Sequence, residues 1–461
     1  MKIITTILLF LSFPLIGFSQ LNTFSLSSFS QPDYYRKFSQ ITPNAFFTTS
    51  HRKDDFEDGN REIERGLNMT YSTSIEKYNR SVQSEFIYSE NTTVNYERSE
   101  SFKNYLIYQS QSLSYDGRFF FSPNDYFSGI EVDHFGYLFY RREDVKEDGQ
   151  FIEDNKSFDV NTTNRLVIKV GKGRIENINV AWHAMRILEV ICENSALEQS
   201  NITHEQIEAF ANKLGEIQNI RLTDPRLEFN KEVEVIFEYL KSADLIVNED
   251  YFLFAQVLDA YRFESFINRR KGSNFSIGLG FRYNNLIQHQ NDIDEDPLEL
   301  DDYENINIDS RIGPFITMQL NYYRPLHYKW QLDFENYFDY GKENIKDYSD
   351  NTNTPNGPND SRGEDITGLM INTIGLNYLL SRRTNILFSY SSVTSYIEDL
   401  IETENIFARH TNRLGMDMEY YFSPWNILSV DLGYEYSKGY KNSNLSSTDT
   451  SIRISNIYYF H

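Results

Sequence analysis

From residue 272 to the C-terminus, side chains alternate between apolar and polar one residue at a time, over stretches of ten or more. Between 328 and 340 the even positions read Tyr328, Trp330, Leu332, Phe334, Asn336, Phe338 and Tyr340. The odd positions read Lys329, Gln331, Asp333, Glu335, Tyr337 and Asp339. Successive side chains of a strand point to opposite faces, so such a segment has one greasy and one charged face as a strand and neither as a helix. The pattern recurs in Phe275, Ile277, Leu279, Phe281 and Tyr283, in Leu414, Met416, Met418, Tyr420 and Phe422, and in Leu428, Val430, Leu432, Tyr434 and Tyr436. Segments 312–322 and 452–460 follow it less strictly.

A soluble sandwich also alternates, so length and connections must choose between a dry core and a lipid-facing wall. The runs exceed the ~5–6 residues of globular strands and match the ~9–11 that cross a bilayer at a tilt. Tight turns are expected at 324–325, 381–383 and 423–425, and long polar loops at about 288–311, 342–365 and 397–407. That asymmetry is the one seen in barrels with short periplasmic turns. Tyr322, Tyr323, Phe422 and Trp425 lie beside the turns, where an interfacial aromatic girdle would sit. The N-terminal half carries noisier strand candidates near 41–51 and at 66–75, 82–96, 104–121, 126–140 and 164–170, with external loops at 52–62 and 142–160. Six strands before residue 172 and eight after 273 give 14, within a range of 12–16.

Lys2 followed by an apolar run to Phe18, with Gly17 and Ser19 at its end, reads as a signal peptide cleaved before Gln20. An exported chain with Cys192 as its only cysteine is expected to rely on burial and backbone pairing, with that thiol buried and inert. Lys and Arg number 44 against 67 Asp and Glu, a formal charge of −23, which excludes nucleic acid as a partner.

Residues 175–268 abandon period two for helical spacing. Val180, Ala184, Ile187 and Ile191 form one stripe. Thr203 to Gln206 forms a capping box ahead of Ile207, Phe210, Leu214 and Ile217. Asp224-Pro225 opens a third helix with Phe229, Val233, Ile236 and Leu240, and a fourth opens near Asn248 with Phe254, Leu258 and Tyr261. Such stripes can bury a small bundle core.

The signal peptide, alternating strands, asymmetric loops and terminal strand 452–460 together resemble Gram-negative outer-membrane β-barrel proteins. The resemblance implies an all-β transmembrane antiparallel barrel of about 14 strands with an inserted α-helical subdomain. The expected divisions are a signal peptide at 1–19, N-terminal barrel strands at 20–172, a helical insert at 173–270 that is periplasmic or a plug, and C-terminal barrel strands at 271–461. The family ends in a closing aromatic read by its assembly machinery. Phe460 fits, although His461 follows it. Outer-membrane lipids and that machinery are the implied partners, and the insert offers a place for a periplasmic one.

Chemistry is sparse, and no catalytic, cofactor or metal residues are expected. Residues 171–174, Gly-Lys-Gly-Arg, lack phosphate-loop spacing and read as a tight connector. His183 and His204 have no second ligand at metal spacing. The acidic run 292–304 has Pro297 where a calcium loop of the helix-loop-helix type wants Gly, and reads as a solvated loop. The first functional reading is a channel or conduit in which Arg282, Asp333, Glu335, Arg413, Asp417, Glu419, Asp431, Glu435 and Arg453 face the lumen and either set selectivity or pair to stiffen the wall. A surface-binding module using the acidic loops is the alternative. A rim hydrolase using His289, or His410 with Glu402 and Glu404, comes last because nothing fixes a nucleophile or base.

Overall fold

A computed structural model describes residues 25–30, 32–52, 60–98, 102–121, 125–147, 150–193, 202–219, 225–246, 251–262, 269–294, 303–327, 329–351, 358–381, 383–399, 406–423, 426–441 and 446–458. The predicted signal peptide lies outside them. Fourteen antiparallel strands form one up-and-down sheet in sequence order. The first six are β1 (Tyr34–Arg52), β2 (Asn60–Tyr78), β3 (Val82–Arg98), β4 (Phe102–Phe121), β5 (Tyr126–Glu147) and β6 (Gln150–Asn177). After the helices come β7 (Arg270–Asp294), β8 (Tyr303–His327), β9 (Trp330–Asn351), β10 (Asn359–Ser381), β11 (Thr384–Asp399), β12 (Ile406–Ser423), β13 (Asn426–Lys441) and β14 (Ser446–Tyr458). The division into six and eight is the one the alternation predicts.

The sheet curls into a barrel wall, because residues two or more strands apart meet on its concave side. Arg165 of β6 donates to the Tyr337 hydroxyl of β9 at 2.8 Å, and the Tyr78 hydroxyl of β2 donates to Glu176 of β6 at 3.2 Å. The convex face carries the apolar members of each alternation. On β7, Leu279 is 68% exposed, while Asn274 and Ser276 on the opposite face are 2% and 4% exposed. Ile168 of β6 is 63% exposed beside buried Val167 and Lys169. Asn336 is a polar exception on the apolar face of β9, and it donates to its cross-strand partner Asn372, so both amides are served within the wall.

Two expectations are corrected. β6, β7 and β8 have 28, 25 and 25 residues, far more than the ten or so needed to cross a bilayer. Most of the predicted loops at 142–160, 288–311 and 342–365 are therefore strand: β5 and β6 are separated by residues 148–149 alone, and β7 and β8 by 295–302. Beyond the apolar belt neither face needs to be greasy, so alternation fades, yet backbone pairing continues. The second correction concerns the girdle. Tyr322 and Phe422 are exposed on the convex face, but Tyr323, one residue on, is 5% exposed on the concave face. Trp425 lies outside the described residues.

Between β6 and β7 run α1 (Asn179–Glu193), α2 (His204–Asn219), α3 (Pro225–Ser242) and α4 (Tyr251–Arg262). The reciprocal cap forms as its sequence demands: the Gln206 backbone N donates to Thr203 Oγ1 at 3.3 Å, and the Thr203 backbone N donates to Gln206 Oε1 at 2.9 Å. Ile187, Ile191, Ile207, Phe210, Leu214, Val233, Ile236 and Leu240 are buried in a shared core. Phe229 is outside the described side chains. Leu26 and Phe29, just ahead of β1, also enter that core, as does Leu379 at the end of β10. The bundle therefore sits on the rim of short turns. Arg383 of the β10–β11 turn pairs with Asp259 of α4 at 2.6 Å, and Ile178 N donates to Arg269 O at 2.9 Å. Buried Arg269 lies over the Trp182 ring of α1 and donates to Lys329 O at 3.4 Å. Burial pushes its guanidinium down to about 10, with Arg186 adding to the push and Asp333 opposing it.

Candidate functional site

On the concave face of β4 to β9 the charges form a belt built around one aromatic ring. Gly280 of β7 and Gly341 of β9 flank Phe315 of β8 in register. A Cβ at Gly341 would stand 2.6 Å from Phe315 Cβ, and one at Gly280 would strike the ring itself, so the glycines are what lets an inward phenylalanine lie flat. Phe315 is 4% exposed, and two guanidinium groups rest on it, Arg165 at 5.1 Å and Arg282 at 4.9 Å from its centroid.

Each of these cations is answered by carboxylates. Arg165 bonds to Glu131 and reaches Asp133 at 3.0 Å. Lys169 reaches Asp116 at 2.7 Å and Glu131 at 2.9 Å, and Arg118 reaches Asp116 at 2.8 Å. Arg282 reaches Asp339 at 2.7 Å and Glu343 at 3.0 Å, while the Tyr337 hydroxyl, which accepts from Arg165, donates to Asp339 at 2.9 Å. The belt thus spans six consecutive strands, its four cations and five carboxylates standing on five of them and the Phe315 ring supplying the β8 link. Farther along, Arg311 pairs with Asp309 at 2.9 Å and Asp365 at 3.7 Å. Charges this deep persist only when paired and hydrogen-bonded, which makes the belt a brace of the wall as well as a charged surface.

The predicted lumen residues divide between this belt and the rest of the wall. Arg282 lies within it. Glu335 and Asp333 lie toward the short-turn rim, Glu335 accepting from the Tyr323 hydroxyl at 2.5 Å and Asp333 from Gln331 at 2.7 Å. On β12 and β13, Asp417 stands opposite Asp431 and Arg413 opposite Glu435. Glu419 accepts from the Tyr421 hydroxyl at 2.6 Å, Asp431 from Ser429 at 3.0 Å and Glu435 from Ser437 at 3.4 Å. Arg453 is opposite Asp431 by register, and its side chain is outside the described ones. Sequence reasoning missed Asp116, Arg118, Glu131, Asp133, Arg165 and Lys169, and did not count Asp339 or Glu343 among the lumen residues. The signal was present in β6, where Leu166, Ile168 and Val170 alternate with Arg165, Val167 and Lys169.

The remaining sequence candidates lie apart from the belt. His289 bonds to Glu304 at 2.9 Å and His410 to Thr394 at 2.9 Å; Glu402 and Glu404 lie outside the described residues. His183 stacks on Tyr261 at 5.1 Å within the bundle, and His204 bonds to Ser28 at 3.0 Å. Residues 171–174 are not a connector but part of β6, bent where Gly173 takes φ +101° beside Gly272, which takes the same angle on β7. Each glycine packs against the opposite strand's backbone, so the bend is a paired one that sequence spacing does not reveal. Residues 295–302 of the acidic run lie outside the described residues. Cys192 is only half-buried against the bundle core rather than buried as expected, and that burial, with Glu189 and Glu193 nearby, pushes its thiol up to about 11.

No family model matches this chain, and no curated protein matches it. Among solved structures it is similar to the translocator domain of the autotransporter NalP from Neisseria meningitidis, at 12% identity and a TM-score of 0.29, covering 84% of this chain and 88% of that one. It is also similar to the ferric yersiniabactin uptake receptor FyuA from Yersinia pestis, at 6% identity and a TM-score of 0.37, covering 90% of this chain and 62% of that one. A third is the beta domain of the Bordetella autotransporter BrkA, at 9% identity and a TM-score of 0.25, covering 82% and 99%. Likenesses this distant say nothing about what the chain does.

Proposed function

We propose that this chain is an outer-membrane barrel of a Gram-negative cell, serving as a cation-preferring conduit closed at its short-turn end by the helical bundle. One observation carries the reading: aliphatic and aromatic side chains cover the convex face of strand after strand, among them Leu67, Ile168, Leu279, Ile316, Ile374, Leu414 and Leu432, all large and exposed. A water-soluble protein rarely leaves so much contiguous apolar surface uncovered. Hydrocarbon removes the cost, and a curled antiparallel sheet meets the demand that backbone groups be satisfied inside it. Lipids of that membrane and the barrel assembly machinery are the partners such a placement implies. No catalytic role forms part of the proposal.

The cation preference rests on the concave charges. Carboxylates exceed cations in the belt, and Asp417, Glu419, Asp431 and Glu435 share β12 and β13 with Arg413. A lumen of one prevailing sign raises the local concentration of counter-ions. The test is planar-bilayer recording of the full chain under a potassium chloride gradient. Discrete conductance steps with a reversal potential shifted toward potassium are expected. Anion preference would overturn the charge assignment, and silence even when the bundle is loosened would overturn the conduit.

A further inference from the structure

At the short-turn rim the bent β6–β7 ribbon leaves an open trough of about 840 Å³, walled by the ends of β2, β4, β6, β7 and β8 and by the segment ahead of β1. Its shape comes from the paired glycines. Gly173 and Gly272 both hold φ at +101° and have no room for a Cβ, so bare backbone lines the trough where side chains would otherwise fill it. The bend carries Arg174 over the Phe120 ring at 3.9 Å, where it donates to the carbonyls of Asn79 and Arg80 at 3.3 and 2.7 Å and pairs with Asp125 at 3.4 Å. Lys271 is tied to Glu176 at 3.1 Å and to Ser27 O at 3.0 Å. These two cations hold the trough together, and their charges are answered.

Arg80 and Arg324 differ. Both line the trough, both are exposed, and no ion pair within 4.0 Å joins either to a carboxylate among the described residues. They stand at the level of Phe121 and Tyr322, exposed aromatics that line the same trough from the convex face. Aromatic rings and arginines together at the edge of an apolar belt match the chemistry of a headgroup boundary, where an acyl chain runs down the wall and a phosphate stays at the rim.

We propose that the trough binds a phosphate-bearing anion, with Arg80 and Arg324 as the groups that grip it. The membrane source is a phospholipid headgroup, and it rests on the barrel being embedded as proposed above. The soluble source is a free phosphate ester. A guanidinium pair answers either, since each can donate two parallel hydrogen bonds to phosphate oxygens.

The test is native mass spectrometry of the full chain released from detergent micelles doped with equal amounts of phosphatidylglycerol and phosphatidylcholine. Separate samples receive inorganic phosphate or glycerol 3-phosphate. Both lipids carry the phosphodiester, but the choline ammonium repels the two guanidinium groups, so phosphatidylglycerol adducts are expected to exceed phosphatidylcholine adducts by about tenfold. R80E/R324E should abolish that preference, and R80K/R324K should retain most of it. Adducts with phosphatidylglycerol alone identify the headgroup as the source. Adducts with the soluble phosphates, lost in R80E/R324E, identify the free ester and would stand even if the membrane reading failed. Equal retention of both lipids without soluble binding, or a preference unchanged in R80E/R324E, overturns the proposal.

Discussion

Phe315 lies flat against Gly280, its cross-strand partner, on the inner face of the wall, and a Cβ on that glycine would collide with the ring. The contact sets the level at which Arg165 and Arg282 rest on the same ring and from which each reaches its own carboxylates. Inserting side-chain volume there is expected to cost more than packing alone, because the cations are displaced with the ring. Gly280→Val should lower the free energy of unfolding of the full chain by about 1–3 kcal/mol from overpacking, and by more if an arginine loses its partner. Adding Phe315→Ala to Gly280→Val should be less damaging than the sum of the two single changes, which a double-mutant cycle in urea would read. Strict additivity would argue against the contact.

Arg282 answers Asp339, whose side chain is 2% exposed, and Glu343, at 7%. Arg282→Met leaves two carboxylates in the wall with less compensation and should destabilise the chain by about 3 kcal/mol. Adding Asp339→Asn to that variant should recover part of the loss. No recovery would mean that the pair is not a brace.

Cys192 offers a check on the bundle that is independent of the membrane. Its thiol is pushed up to about 11 by burial first and by Glu189 and Glu193 second. The protonated form is therefore favoured in the folded state, and the stability this contributes is complete below the unfolded thiol's ~8.5 and lost as pH climbs through about 11. Iodoacetamide should label the folded chain slowly at pH 8 and reach half its limiting rate near pH 11. A midpoint near 8.5 would contradict the packing of α1.

Arg383 and Asp259 join the bundle to the rim through an ion pair of 2.6 Å that is partly exposed. Its direct worth is small, about 1 kcal/mol or less. Even so, Arg383→Glu should bias a closed bundle toward displacement, seen as a higher open probability in bilayer recordings and faster proteolysis within the bundle. Arg383→Glu with Asp259→Arg should restore closure. An unaltered open probability in the single variant would remove the bundle as the stopper.

How much was legible in the sequence depended on where a rule of period operates. Alternation located strand after strand because one face of the wall must be greasy, and 3.6-residue spacing located the four helices among the described residues because their stripes must meet. Thr203 and Gln206 are bonded as their spacing demands. The extended hairpins of β6 to β8 look like loops in sequence because polar residues on both faces erase the pattern while leaving the backbone ladder intact. Of the belt's charged residues, only Arg282 was among the sequence candidates. Arg282 stood out against Phe281 and Tyr283, but its partners Asp339 and Glu343 lie two strands away, and a one-dimensional pattern holds no information about which strands face one another. The paired bend at Gly173 and Gly272 was invisible for the same reason, since its cause is a register between β6 and β7.

The most direct test concerns which face of the wall meets hydrocarbon. Nitroxide labels introduced one at a time at residues 275–283, in a Cys192→Ser background reconstituted in lipid vesicles, report their exposure to dissolved oxygen and to a water-soluble nickel chelate. Labels at 275, 277, 279, 281 and 283 should favour oxygen, and those at 276, 278, 280 and 282 should not, in strict alternation. Equal access of the chelate to Ile277 and Leu279, or a chain that remains monomeric in water without detergent, would contradict a lipid-facing wall.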